Sequence, residues 1–176
     1  YRGGAASQEA LSAGAADIIT YFGAGVALAI SKGAKERIVA AIDPTPHGWQ
    51  FLVLANSPIK SIKDLDGKKI GVCAGCTYEQ YLNKELAIDG YTFDFVIDDA
   101  EVSGYDTDTT ALQDLANGRL DAVITSVTTA QGYIDAGNPV QIVGDPVFYE
   151  PLSVGFDKSA DPSSESLHEA VDGICL

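Results

Sequence analysis

Two cysteines three positions apart, Cys73 and Cys76, lie between an apolar run and a helical pattern. Residues 70–73 predict a buried strand, and a helix is predicted from Thr77 onward. A Cys-x-x-Cys pair at a helix N-terminus is the arrangement of a thiol redox site, because the helix dipole lowers a thiol pKa there. The same turn, with Gly75 at its tip, leaves backbone N–H groups that could hold a small anionic or polar group, rimmed by Cys76, Thr77 and Tyr78. Three interpretations remain open: thiol exchange, binding of a small molecule, and a plain strand-to-helix connection.

Other motifs give little support to catalysis. The chain contains no G-x-S-x-G elbow, no Walker loop and no set of nucleophile, base and orienting residue at suitable spacing. Residues 106–108 resemble the start of a calcium loop, but the glycine and the terminal glutamate of that loop are missing, so Asp108 is predicted to be a helix N-cap. Both histidines, His47 and His168, lie far from the cysteine pair, and Cys175 is predicted to pack as a small apolar residue. We therefore expect no metal and no cofactor, and binding is favoured over catalysis.

Composition narrows the class of protein further. The 176 residues are 46% hydrophobic, enough to bury a core as one large or two small domains. The chain has 11 Lys and Arg residues and 25 Asp and Glu residues, which gives a net charge of −14. Neither nucleic acid nor an anionic membrane surface is therefore an expected partner. No apolar run approaches the roughly 20 residues of a membrane-spanning helix. Three cysteines are too few for a disulfide framework.

A repeat organises the predicted elements. In the first block, a helix at 8–13 with Ser7 as N-cap, a strand at 17–20, a helix at 24–32 and a strand at 37–42 follow one another. The second block repeats this order at 109–117, 121–125, 128–136 and 140–143, at a constant offset of 104 residues. Glycines end corresponding helices in both blocks, Gly14 with Gly118 and Gly33 with Gly137. We infer an α/β protein of two Rossmann-like lobes with the same design.

The remaining segments connect the two lobes. A strand at 69–73, a helix at 77–86 and a strand at 93–97 precede the second block, whereas the first block has no counterpart, which predicts a missing strand-helix-strand of about 35 residues. The absence of Met also indicates a chain that begins past its start codon. Strands at 49–54 and 149–156 are expected to cross between the lobes, and 163–174 is predicted to be an amphipathic helix. The expected organisation is residues 1–54 in lobe 1, 55–151 in lobe 2 and 152–176 returning to lobe 1.

Several stretches resemble a known superfamily. Residues 57–72, 77–82 and 111–124, including the run ALQDLANGRLDAVI, are similar to the type 2 periplasmic solute-binding proteins of ABC importers. The likeness of 57–156 is closest to binders of polar amino acids, and that of 3–49 to binders of nitrate, sulfonates and taurine. The resemblance implies two lobes that close on a solute at the carboxyl ends of the strands. It also implies an extracytoplasmic protein, periplasmic or extracellular and with or without a lipid anchor in its full-length form, that works as a monomer with the membrane subunits of an ABC importer.

Eight residues are candidates for binding the ligand. Each lies where a strand ends or a helix begins: Tyr21, Phe22, Trp49, Cys76, Thr77, Tyr78, Thr125 and Ser126. Two departures put a plain α-amino acid in doubt, since the helix after residue 22 lacks the family's arginine and Ser126 stands where its aspartate is usual. The expected solute is a small polar or anionic organic molecule, an amino acid or a sulfonate-like compound. A thiol redox protein using Cys73 and Cys76, or an enzyme on the same scaffold, is the alternative.

Overall fold

A computed structural model describes residues 4–87 and 90–158, together with 166 and 169. The chain forms two compact units, unit 1 with residues 1–46 and 150–176, and unit 2 with residues 47–149. The elements in chain order are α1 (Gly4–Ser12), β1 (Ile18–Phe22), α2 (Gly23–Ser31), β2 (Glu36–Leu54), a 3₁₀ helix (Ile62–Leu65), β3 (Lys68–Cys73), α3 (Thr77–Leu82), β4 (Ala100–Tyr105), α4 (Asp108–Ala116), β5 (Ala122–Ser126), α5 (Val127–Asp135) and β6 (Val140–Asp157). The chain passes from unit 1 to unit 2 within β2 and returns within β6.

Unit 1 is built around β1, which pairs antiparallel with the end of β6, Ile18 opposite Phe156 and Phe22 opposite Leu152. Its core is a small apolar cluster of residues from α1, β1 and α2, namely Leu11, Ile19, Tyr21 and Val26. The Tyr21 ring needs glycine on both helices, because a Cβ on Gly4 or Gly25 would lie 2.0 or 2.3 Å from a ring carbon. The fit of this ring therefore fixes how α1 and α2 pack on β1.

In unit 2, strands β2, β5, β3 and β4 are neighbours in that order in the sheet. β3 runs parallel to both β4 and β5, whereas β5 is antiparallel to β2. Because β3, β4 and β5 are parallel, their carboxyl ends meet at one edge of the sheet. Helices α4 and α5 cover the strands through an apolar core formed by Leu52, Ala111, Leu112, Leu115, Leu120, Val123, Ala130 and Val140.

The repeat predicted from the sequence is present as elements. Helix, strand, helix and strand follow in the same order in α1-β1-α2-β2 and in α4-β5-α5-β6. The glycines that end the corresponding helices have the expected left-handed backbone, with φ of 69° and 71° at Gly14 and Gly118, and 96° and 83° at Gly33 and Gly137. The mixed α/β fold class is confirmed.

Three local predictions were wrong. Ser7 is not an N-cap, because α1 already begins at Gly4 and the Ser7 hydroxyl donates to the Gly4 carbonyl. Residues 93–97 are not a strand. The Tyr81 hydroxyl donates to the Asp94 carbonyl and accepts from the Val96 N–H, so these backbone groups bond to a side chain and not to a neighbouring strand. The segments 37–42 and 49–54 with the loop between them form one strand, β2. Within the predicted helix at 163–174, the structure describes Ser166 and Glu169, both helical; the other residues of that prediction and Cys175 lie outside the described part.

Candidate functional site

A hydrogen-bonded cluster lies at the carboxyl edge of the unit 2 sheet. Tyr78 is in the first turn of α3, which follows β3, Asp108 is the first residue of α4, which follows β4, and Thr125 is near the end of β5. The Tyr78 hydroxyl donates to Asp108 Oδ1, and the Thr125 hydroxyl donates to Asp108 Oδ2. One polar group therefore lies at the carboxyl end of each of the three parallel strands, and the Asp108 carboxylate accepts hydrogen bonds from the other two groups. We name these three residues the carboxylate cluster.

In the carboxylate cluster, burial and hydrogen bonding shift the pKa of Asp108 in opposite directions. Thr125 is fully buried and Tyr78 is 4% exposed, whereas Asp108 keeps part of its surface exposed. Burial raises the pKa of Asp108 above its ordinary value, and the hydrogen bonds from Thr125 and Tyr78 oppose that rise. Further hydrogen-bond donors, or a positive charge, at Asp108 would therefore favour its ionised form.

An aromatic stack supports the carboxylate cluster from one side. The Trp49 and Tyr78 rings stack with centroids 4.2 Å apart, and Trp49 lies opposite Ser126 in the β2–β5 register. Trp49 is 2% exposed and also lies near Phe148 at 6.0 Å. The stack holds the Tyr78 hydroxyl in position, because the ring that carries it cannot tilt without disturbing its neighbour.

The sequence prediction for Asp108 as a helix N-cap was wrong. Thr107 caps α4, since its side-chain oxygen accepts from the Thr110 N–H at 3.2 Å. With the cap supplied by the preceding residue, the Asp108 side chain is free to reach Tyr78 and Thr125. No local motif indicates this role, although Asp106 and Asp108 both lie shortly after the end of β4.

In the turn between β3 and α3, the cysteine sulfurs and the Gly75 N–H bond to groups of the same segment. Cys73 and Cys76 form a disulfide, and Cys76 is the N-cap residue of α3. The Gly75 N–H donates to Glu79 Oε2 at 2.6 Å, so a carboxylate from the same helix fills the place where an external anion was expected. Cys76 and Thr77 are buried, at 4% and 1% exposure.

The other predicted residues divide between the two units. Ser126 caps α5, with its oxygen accepting from the Thr129 N–H and its hydroxyl donating to Thr129 Oγ1 at 2.9 Å. In unit 1, Tyr21 is buried in the core and Phe22 packs against it with ring centroids 6.4 Å apart. Burial, with a smaller effect from the Glu150 carboxylate, raises the pKa of the Tyr21 hydroxyl. Of the eight predicted residues, unit 2 therefore brings Trp49, Tyr78 and Thr125 together around Asp108, which was not predicted as a site residue.

Unit 1 also has a cavity of about 370 Å³, where α1 and α2 end and β2 begins. Its lining includes Glu36, a carboxylate that is 1% exposed and that accepts hydrogen bonds from the Gln8 amide and the Ser12 hydroxyl. These neutral donors satisfy Glu36 within unit 1. Among the described residues, no group of three or more His, Cys, Asp and Glu side chains is placed to hold a metal ion. None of the helices in this part of the chain is long and apolar enough to cross a membrane.

The fold is that of type 2 periplasmic solute-binding proteins. A solved structure of the substrate-binding protein of an amino acid ABC transporter matches 95% of this chain and 66% of its own with a TM-score of 0.73 at 22% identity. A second, an ancestral arginine-binding protein bound to arginine, matches 97% of this chain and 70% of its own with a TM-score of 0.69 at 26% identity. The chain belongs to the NMT1/THI5-like family, whose model matches residues 1–165.

Sequence relatives point to the same class of protein. The chain is 30% identical over 129 residues to the probable amino-acid-binding protein YxeM of Bacillus subtilis, covering 71% of this chain and 46% of that protein. It is 27% identical over 145 residues to the L-cystine-binding protein TcyJ of Escherichia coli K12, covering 81% of this chain and 50% of the relative. The chain thus spans about half the length of these relatives. The resemblance to solute-binding proteins predicted from the sequence is confirmed.

Proposed function

We propose that this protein is the solute-binding component of an ABC importer and binds a small polar organic solute. The observation that carries the proposal is the carboxylate cluster, which lies at the carboxyl edge of the parallel strands β3, β4 and β5. In open α/β sheets this edge is the general place for ligands. The relatives support the solute class, since they are described as binding amino acids, cystine or arginine.

Binding rather than catalysis is the activity proposed. The relatives named above are binding proteins. The thiol redox alternative is not favoured, because the relatives are solute-binding proteins and both Cys73 and Cys76 are buried, whereas a redox site must be accessible to its partner. We further propose that units 1 and 2 are the two lobes of the receptor, and that the protein acts outside the cytoplasm as a monomer with the membrane subunits of an importer.

A thermal-shift screen of the full chain tests the proposal. The panel comprises the common amino acids, L-cystine, taurine and other sulfonates, nitrate and pyrimidine precursors. A solute present at 100 times its Kd should stabilise the folded protein by about 2.7 kcal/mol, which shifts the Tm of a chain of this size by several degrees. Isothermal titration of each hit should then give saturable binding with one site per chain. A panel without any stabilising compound would contradict the proposed function.

A further inference from the structure

We infer that Asp108 selects a solute that carries a protonated amino group, an inference that rests on the proposed function. The sequence left two solute classes open, amino compounds and plain anions such as sulfonates. The carboxylate cluster distinguishes between them, because its central group is negative and the groups around it are neutral hydroxyls.

The geometry leaves room for a donor on the carboxylate. Each Asp108 oxygen accepts one hydrogen bond, Oδ1 from Tyr78 and Oδ2 from Thr125. A carboxylate has about four acceptor positions, so roughly two remain for N–H groups of a solute. The two hydroxyl donors come from separate elements and are buried, so they hold the carboxylate plane fixed before any solute arrives. Because Asp108 itself keeps exposed surface, its remaining positions can be reached.

The charge on Asp108 has no counter-ion within the described part of the chain. Within the described residues, Lys84 pairs with Asp98 and Arg119 pairs with Asp114, and Asp108 belongs to neither ion pair. A largely buried carboxylate supported by neutral donors alone is stabilised strongly when a cation reaches it. An ammonium group of a solute supplies both the charge and the N–H donors. A nitrate or an amine-free sulfonate would instead meet repulsion at the same place.

Capping of α4 does not account for Asp108. Thr107 caps α4, so the helix does not need the Asp108 side chain for capping. The position at the first residue of α4 favours the ionised carboxylate through the helix dipole, which keeps Asp108 ready to bind a cation. The structure therefore assigns Asp108 the recognition of charge and Tyr78 and Thr125 its orientation.

Matched pairs of solutes that differ only in the amino group test the inference. The pairs are L-alanine with L-lactate, taurine with isethionate, and each amino compound that stabilises the protein in the thermal-shift panel with its hydroxyl analogue. Binding is followed by the fluorescence of Trp49, the single tryptophan of the chain, which stacks on Tyr78 within the carboxylate cluster. The amino member of a binding pair should bind about 10- to 100-fold more tightly than its hydroxyl analogue.

Variants then connect this preference to Asp108. Asp108→Asn should reduce the ratio of affinities within a pair to less than about threefold, because the amide cannot pair with an ammonium charge. Asp106→Asn is the matched control, since it removes the same charge from an exposed residue two positions away and should keep the wild-type ratio. Thr125→Val removes one hydroxyl donor from the carboxylate and should lower affinity for the amino compound without inverting the preference. Circular dichroism confirms that each variant is folded.

The outcomes separate this inference from the proposed function. If nitrate or amine-free sulfonates are the compounds that stabilise the wild-type protein, the inference is overturned while the solute-binding function stands. Equal affinity for both members of a pair, or an unchanged ratio in a folded Asp108→Asn variant, also overturns it. If no compound of the panel binds, both the proposed function and this inference fail. Should Asp108→Asn not fold, the wild-type pair ratio and Thr125→Val decide the question.

Discussion

The hydroxyl of Tyr78 offers a direct test of the carboxylate cluster. Tyr78→Phe removes the donor to Asp108 Oδ1 and keeps the ring that stacks on Trp49 at 4.2 Å. A hydrogen bond to a charged, largely buried group contributes about 1.5–3 kcal/mol. We therefore expect the variant to lose about that much free energy of unfolding at pH 7.

The loss should depend on pH in a defined direction. The Tyr78 hydrogen bond opposes the rise that burial imposes on the Asp108 pKa, so removing it raises that pKa further. At neutral pH the variant must keep the carboxylate ionised with one donor fewer, and the full penalty applies. As the pH falls through the raised pKa of Asp108, the carboxyl group becomes neutral and the penalty should shrink toward about 1 kcal/mol.

Urea unfolding followed by circular dichroism at pH 7 and at pH 4 measures both quantities. Tyr91→Phe is the matched control, because Tyr91 is 74% exposed and its hydroxyl should contribute little. A Tyr78→Phe variant as stable as the wild type at pH 7 would refute the account of the cluster. A penalty that is the same at both pH values would refute the assignment of the ionised carboxylate as the acceptor.

Three further predictions concern the framework of unit 2. Leu115→Ala should cost about 2–5 kcal/mol in urea unfolding, because Leu115 is fully buried in the core beneath α4; a loss below about 1 kcal/mol would contradict this packing. Reducing the disulfide between Cys73 and Cys76 should lower the free energy of unfolding by about 2 kcal/mol, as expected for so short a loop, and unchanged unfolding in reductant would contradict its presence. Arg119→Gln should raise the pKa of Asp114, because the hydrogen bond from Arg119 holds that pKa below its ordinary value. In the wild type, the stability from this pair is present above the ordinary pKa of Asp and is lost as the pH falls through the lowered pKa of the folded state. Carbon NMR titration of the Asp114 carboxyl group measures the shift, and an unchanged pKa in the variant would contradict this role of Arg119.

The repeated half of the fold could be predicted from the sequence because its signals are local. Glycines that need a left-handed backbone end the helices in both blocks, and apolar runs between them mark β1 and β5. The edge strand β4 was missed, since its six residues alternate weakly and keep much of their surface exposed. The predicted strand at 93–97 is absent, and its residues Phe93 and Phe95 pack against other rings instead.

The centre of the candidate site could not be predicted because it depends on contacts distant in sequence. Tyr78 and Asp108 are 30 positions apart, and Asp108 and Thr125 are 17 apart, so no local motif records the cluster. Asp at the start of a helix is usually explained by capping, and only the structure places the cap at Thr107. The sequence puts a plain α-amino acid in doubt, because the helix after residue 22 lacks an arginine and Ser126 stands where an aspartate is usual. Asp108, which accepts a hydrogen bond from the neighbouring Thr125, places a carboxylate at the same strand end.

The most direct test of the central claim is an amide NMR titration of the full chain with the amino compound that stabilises it most in the thermal-shift panel. The largest shift changes should occur at Tyr78, Asp108 and Thr125, where β3, β4 and β5 end. Saturation of these changes at one solute per chain would support a receptor with its site at this edge. Changes confined to the opposite ends of these strands, with these three amides unmoved, would contradict the account.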